Sequence, residues 1–274
     1  LALGAWSTEV FYDAANASGS PLDPVEGTVH HIGCAAGDTV WSDEDTVIWL
    51  ARTRDGGVQL VAMDGLKIVP LSTPTLERIF DQDESNISSA SGYGFRIAGH
   101  LFYVLRLNSS TWVCDLGSRM WSEWTVYNGT SEEAFTGVGH CQASGKNYIL
   151  DEDNGKVYEM DIDIYQDDGQ EMRFEVVTPL IDFGTTDNKT VARVTLIGDK
   201  QTSASSMSVS YTDDDYQNFS TAITVDLNDT NPALFAQGRF QRRAYKLAST
   251  ANTPIRLESL EFDIDLGQLE GGNA

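Results

Sequence analysis

Leu101-Phe-Tyr-Val-Leu-Arg-Leu107 and Ser110-Thr-Trp-Val-Cys-Asp115 are two β-rich runs separated only by Asn108-Ser109. Aromatic and branched side chains favour a pleated, half-buried surface, and a short polar spacer turns one strand back on the other. Leu116-Gly-Ser118 turns again into Met120-Trp-Ser-Glu-Trp124. The same order recurs on both sides. Upstream, Thr46-Val-Ile-Trp-Leu-Ala51 and Val58-Gln-Leu-Val-Ala-Met63 flank Arg54-Asp-Gly-Gly57, and Asp64-Gly65 leads into Leu66-Lys-Ile-Val69. Downstream, Lys146-Asn-Tyr-Ile-Leu150 meets Lys156-Val-Tyr-Glu-Met160 across Asp151-Glu-Asp-Asn-Gly155, and Asn154-Gly155 is the strongest short hairpin signal of the chain. Units of roughly 40 to 50 residues, each holding a hairpin, have the period of propeller blades. Three are too few to close a ring, since propellers use about four to eight blades. Further sequence or another subunit would complete such a ring, or the sheets stack in another way.

One short helix is expected in Leu71-Ser-Thr-Pro-Thr-Leu-Glu-Arg-Ile-Phe80, capped by Ser72 or Thr73, with Pro74 in the first turn and Glu77 near it. Past residue 168 the strands lengthen and alternate. Six are expected: Arg173–Val177, Thr190–Ile197, Ser206–Tyr211, Ala222–Asp226, Arg239–Leu247 and Ile255–Ile264. In the last, Leu257, Leu260, Phe262 and Ile264 fall mostly on one face. That density suits a β-sandwich. The fold class is therefore all-β, with propeller-like blades, incomplete in this chain, followed by a β-sandwich. The expected division is an N-terminal segment 1–26, open to truncation, then a propeller-like domain 27–168, a sandwich 169–267 and a flexible tail 268–274.

Composition limits the function. The chain has 274 residues, with 41 acidic against 18 basic side chains and a formal net charge of -23. It is 41% hydrophobic and 10% aromatic, enough for a folded core. Binding nucleic acid by broad phosphate neutralisation needs clustered Lys and Arg, which this charge argues against. It also argues against anionic membrane surfaces, and no apolar run approaches the length of a membrane helix. The N-terminus, LALGAWSTEV, shows no basic-then-apolar signal sequence and no initiator Met, as in a processed chain or a fragment. Asp outnumbers Glu and sits beside Gly, Asn and other Asp, where its carboxylate bonds the turn backbone. Cys34, Cys114 and Cys141 are too few and too scattered for a disulfide framework, so three reduced, buried thiols are expected.

No residues are assigned to catalysis, to a metal or to a cofactor. His30-His31-Ile-Gly-Cys34, with His140-Cys141 as a second half, matches no zinc spacing, and adjacent His residues in a strand point to opposite faces. Asp151-Glu-Asp-Asn-Gly-Lys156 and Asp213-Asp-Asp215 offer oxygen ligands of the kind calcium takes, but read first as Asp-rich turns. Asp161-Ile-Asp163 and Asp263-Ile-Asp265 read as strand residues with both carboxylates on an exposed face. No nucleophile elbow, phosphate loop or dinucleotide fingerprint occurs. Asn-x-Ser/Thr recurs at Asn16, Asn86, Asn108, Asn128, Asn188, Asn218 and Asn228, which reads as turn Asn beside strand Ser and Thr. Trp6, Trp41, Trp49, Trp112, Trp121 and Trp124 fit blade cores better than a sugar platform.

The order of motifs resembles a known family. Thr28-Val-His-His-Ile-Gly-Cys-Ala-Ala-Gly-Asp-Thr-Val40, Val47–Ala51, Gly57–Gly65 and Ile68-Val-Pro-Leu-Ser-Thr-Pro74 follow the pattern of the packaged-DNA-stabilisation proteins of short-tailed phages, also called tail hub or head-completion proteins. Gly99-His-Leu-Phe-Tyr-Val-Leu105, Thr111–Asp115 and Trp121-Ser-Glu-Trp124 continue it. Ser210-Tyr-Thr-Asp-Asp-Asp-Tyr-Gln-Asn-Phe-Ser220 is similar to the family's S-D-D-G-x-T-W-S turn, with Asp215 or Tyr216 in place of its Gly and Phe219 in place of its Trp. Gly238-Arg-Phe-Gln-Arg-Arg243 is similar to its Arg-containing strand. The resemblance implies a structural virion protein with no enzyme activity, in the tail or connector and assembled in the host cytoplasm. It would form a ring of copies, with portal and adaptor proteins above and needle, fibre or tailspike proteins below. Genomic DNA would pass without specific binding, and no membrane is involved. A carbohydrate-binding or sialidase-like propeller module is the alternative.

Overall fold

The structure is a computed structural model that describes residues 1–44, 46–200 and 203–266. It divides into two compact units, one of Leu1–Val126 with Glu132–Ile162, the other of Tyr127–Ser131 with the chain from Asp163 onward. The expected tail, 268–274, lies outside the described residues.

The first unit opens with two small hairpins, β1 (Ala2–Leu3) with β2 (Thr8–Glu9) and β3 (Phe11–Asp13) with β4 (Leu22–Pro24). Three antiparallel sheets follow in chain order. The first holds β5 (Ile32–Cys34), β6 (Trp41–Asp43), β7 (Thr46–Thr53), β8 (Val58–Asp64) and β9 (Lys67–Pro70). Helix α1 (Pro74–Gln82) leads to the second, made of β10 (Ser91–Ile97), β11 (His100–Arg106), β12 (Thr111–Asp115), β13 (Met120–Tyr127) and β14 (Glu132–Ala134). The third is β15 (Gly137–Ala143), β16 (Lys146–Asp151) and β17 (Val157–Met160). Most neighbours in each sheet are neighbours in sequence, the meander order of a blade.

Alternation along the strands gives each sheet two faces, and the cores lie between successive sheets. Register pairs Ile48 with Ala62 and Leu50 with Leu60 on one face of the first sheet. These pack with Tyr103 and Leu105 from the second sheet, and Leu76 and Phe80 of α1 join the same core. The opposite face of the second sheet presents Phe95, Val104 and Val113, with Met160 of the third sheet against them. His140 of β15 lies 5.5 Å from the Phe95 ring, centroid to centroid. Back on the first sheet, the other face carries Trp49, Val61 and Met63, covered by Leu3 and Val10 of the N-terminal hairpins. Leu3 and Val10 thus tie the N-terminal segment to the first sheet. The helix forms as its sequence dictates: Thr73 caps it, accepting a hydrogen bond from Leu76 N, and Pro74 starts the first turn.

After a small hairpin of β18 (Gln166–Asp167) and β19 (Gln170–Glu171), the second unit contains two sheets. One has the order β20 (Phe174–Val177), β26 (Ala244–Ser249), β22 (Ser206–Thr212), β23 (Ile223–Asp226). The other is centred on β21 (Lys189–Gly198), with β24 (Ala233–Phe235) and β25 (Arg239–Phe240) along one side and β27 (Leu257–Leu266) along the other. Val191, Val194 and Leu196 of the second sheet share one core with Met207, Val209 and Leu247 of the first.

Three sequence expectations change here. Arg239–Leu247 is two strands: the chain pairs with β21 at Arg239–Phe240, breaks at Gln241–Arg243, and joins the other sheet from Ala244. The break is held by buried charges that no alternation pattern encodes. Asp161-Ile-Asp163 follows β17 and is not strand; its carboxylates share no sheet face. Ala233–Phe235 is a strand too short to show periodicity. The imperfect alternation of the last strand has a local cause. Register pairs Ile197 with Ser259 and Gly198 with Leu257, so Glu258 bulges out and lets Leu257 and Leu260 reach the same core.

Candidate functional site

The residues that looked most like chemistry are occupied by the fold. In the Asp213-Asp-Asp215 turn the three carboxylates diverge. Asp213 takes a two-pronged pair from Arg243, with Nε to Oδ1 and Nη2 to Oδ2 both at 2.7 Å. Asp214 accepts from the side chain and backbone of Asn218 and from Thr212, and these bonds hold its carboxyl down to about 2. Asp215 pairs with Arg242 at 2.7 Å. Both Asp215 and Tyr216 have left-handed backbone, φ 59° and 67°, a conformation that favours glycine. Arg242 on Asp215 and the Tyr216 hydroxyl, donating to Thr178 O at 3.3 Å, support that turn.

Arg243 is the centre of this arrangement. Its side chain is almost fully buried, lying 3.7 Å from the ring centroid of Tyr211 and 4.3 Å from that of Phe240. Nη1 donates to Gln237 O. A second buried cation, Lys189, donates from Nζ to the carbonyls of Thr185, Asp187 and Gln241. The break between β25 and β26 is therefore fixed by an ammonium at Gln241 and a guanidinium at Arg243. A buried cation with full hydrogen bonding is a structural device, since an unpaired one would be far more costly.

The other candidates also resolve into turns and cores. Asp151 accepts from Asp153 N, Asn154 N and Thr136 Oγ1; burial opposes these bonds, yet its carboxyl still lies below the usual range. That is an Asp-closed hairpin turn. His30 pairs by backbone with Thr8, and His140 Nε2 lies 2.9 Å from Asn147 Oδ1. Among the described residues no group of three or more His, Cys, Asp or Glu could hold a metal ion. The cysteines differ from the expectation: Cys114 is buried, Cys34 partly so, and Cys141 is exposed on β15. Burial pushes the Cys114 thiol up to about 12, with the Asp115 charge adding to it. Exposure of Cys141 follows from strand parity, because its neighbour His140 takes the inward position. Among the tryptophans, Trp49 is fully buried, and Trp41, Trp112 and Trp121 pack on the first core. Trp124 packs on Phe95 and Phe135. Of the six tryptophans only Trp6 is exposed, so they do not come together as a shared platform.

An open groove of about 860 Å³ lies in the second unit, lined by Ser206, Ser208, Thr224, Asp226, Arg173 and Glu171, among others. Its lining sets the Ser and Thr hydroxyls beside the carboxylates of Glu171 and Asp226 and the guanidinium of Arg173.

A meander of three stacked sheets, with turns closed by Asp and Asn, is what residues 1–162 build. Over residues 1–165 the sequence matches the phage-stabilisation family described as "Bacteriophage P22 Gp10, beta-propeller". The chain belongs to that family. Membership makes it a phage structural protein with a β-propeller fold, as its motif order implied. No curated protein gives a significant match. Among solved structures, it is similar to an exo-β-1,3-galactanase from Phanerochaete chrysosporium (6% identity, TM-score 0.20, covering 86% of this chain and 57% of that one). It is also similar to an arabinoxylan arabinofuranohydrolase from Bacillus subtilis (9% identity, TM-score 0.23, covering 88% and 56%). The chain thus spans little more than half the length of either enzyme. At such TM-scores the likeness transfers neither fold nor chemistry.

Proposed function

We propose that this phage structural protein is a tail hub or stopper of the head-to-tail connector. Copies of it form a ring on the DNA exit path, helping to retain the packaged genome and anchoring distal tail parts. Portal and adaptor proteins lie above it, and needle, fibre or tailspike proteins below. The family match across the three stacked sheets carries this reading. Sheets closed by tight turns and stacked through apolar faces are rigid carriers for protein contacts. The net charge of -23 supports a further element of the reading: an acidic wall repels passing DNA and keeps it from sticking.

Mass spectrometry of purified virions tests the proposal. The protein should be present in a ring-sized number of copies per particle. Its absence from intact virions overturns the reading.

A further inference from the structure

The outward face of the sheet β20-β26-β22-β23 is a floor of small side chains. Met207 and Val209 of β22 belong to the core, so Ser206 and Ser208, which alternate with them, point outward. Register sets Thr224 of β23 and Ala248 of β26 on either side of Ser208, and Asp226 beside Ser206. All of these line the open groove of about 860 Å³ in the second unit. Serine, threonine and alanine leave a hollow where longer side chains would stand. Glu171 and Arg173 line it on the β20 side and Asp226 on the β23 side. Tyr127, which belongs to the same unit, adds an aromatic ring 5.8 Å from the Arg173 guanidinium. Neighbouring strands lie about 4.8 Å apart, so the three steps from β20 to β23 span roughly 14 Å.

The chemistry of this lining selects among ligands. Hydroxyls donate and accept, carboxylates accept, and a guanidinium donates. Spread along such a floor, they match a chain that itself carries many hydroxyls. A polyanion is disfavoured, because the described lining holds two carboxylates against one guanidinium, and Arg173 is already paired with Glu175. An apolar ligand would strip water from the hydroxyls and carboxylates and return no hydrogen bonds. A metal ion is not served, since among the described residues no group of three or more His, Cys, Asp or Glu could hold one. The flat apolar ring of Tyr127, with its polar tip, suits the C–H face and hydroxyl rim of a sugar.

We propose that this groove binds an uncharged oligosaccharide, laid across the strands between Arg173 and Asp226. Sugar hydroxyls bond Ser206, Ser208 and Thr224 along the floor and the carboxylates of Glu171 and Asp226 at the two ends, and one pyranose face packs on Tyr127. Binding alone is assigned, with no covalent step. All of these residues except Tyr127 lie beyond residues 1–165, the stretch that carries the family match. The site therefore goes beyond the connector reading and does not depend on it.

The experiment applies the labelled full chain to printed oligosaccharides, both uncharged and sialylated or sulfated, with uncharged peptides printed beside them. The expected result is binding to one or more uncharged oligosaccharides that persists at high salt. Calorimetry with the best-bound oligosaccharide then compares variants, each checked for its fold by circular dichroism. Ser208→Tyr fills the floor from an outward position and should weaken binding at least about tenfold. Thr224→Val removes one hydroxyl at nearly constant shape and should weaken it about threefold or more. Trp6→Ala, which removes the exposed tryptophan outside the groove, should bind as the parent does. Equal binding by the parent, Ser208→Tyr and Thr224→Val, or an equal loss with Trp6→Ala, overturns the proposal. Binding confined to charged glycans or to peptides, or no binding at all, overturns it as well. The copy number in virions decides the connector role separately.

Discussion

At the scale of single residues, the acidic cluster that most resembled an ion site is a set of structural contacts. The Asp213–Arg243 pair shows how asymmetric such a contact is. Removing Asp213 strands a buried guanidinium, whereas removing Arg243 leaves a carboxylate that is 40% exposed and can hydrate. Asp213→Ala should therefore cost about 3–5 kcal/mol. Arg243→Met, which keeps an apolar stem against Tyr211 and Phe240, should cost about 2 kcal/mol or less. Chemical denaturation of both variants checks the order, and a larger loss for Arg243→Met contradicts it. Asp214 gives a pH dependence of known sign. Its folded value of about 2 lies below the unfolded value of about 4, so its contribution is present above pH 4 and lost as pH falls towards 2. Asp214→Asn should flatten that part of the stability curve, as followed by thermal melts between those pH values.

At the scale of elements, the sheets depend on close approaches as much as on alternation. Gly33 of β5 packs against the backbone of Ala5 and Trp6, and an added Cβ would lie 2.2 Å from Ala5 C and O. Gly33→Ala must push the N-terminal segment off the first sheet and should cost about 1–3 kcal/mol. Amide exchange in residues 1–26 should rise with it, whereas a general increase across the unit would point elsewhere. Leu60 sits between the first sheet and α1 with no exposure, so Leu60→Ala should cost about 2–5 kcal/mol in the same denaturation assay. The hairpins and the helix were legible in sequence, because Asn154-Gly155, Asp64-Gly65 and Thr73-Pro74 state their turn and cap chemistry locally. The split of Arg239–Leu247 was not, because Lys189, whose ammonium holds the Gln241 carbonyl at the break, stands on β21, 52 residues earlier in the chain. Val191 and Val194 both face the core although their spacing is odd, through a register shift next to Ala192 that only pairing with β27 reveals.

At the scale of the whole molecule, charge and family point the same way. A chain of net charge -23 that stood in the DNA path would act by repulsion, and repulsion between exposed charges is screened by salt. Neutralising exposed turn residues such as Asp55, Asp153 and Glu152 to Asn or Gln should slow DNA ejection from virions and leave particle assembly intact. Ejection measured by fluorescent dye entry checks this, and an unchanged rate would remove the acidic-wall element of the proposal.

Sequence alone determined the all-β class, the positions of most strands, the capped helix at Pro74 and the resemblance to phage-stabilisation proteins. Each rests on local periodicity, turn residues or motif order, and these are properties of neighbouring residues. Tertiary structure decided which carboxylates are free and which are consumed, which cysteine is exposed, where one apparent strand becomes two, and which hydroxyls gather along one groove. Those depend on partners tens of residues away, such as Asp213 with Arg243 or Glu258 bulging against β21, and the energy of a buried charge is set by what the fold places beside it.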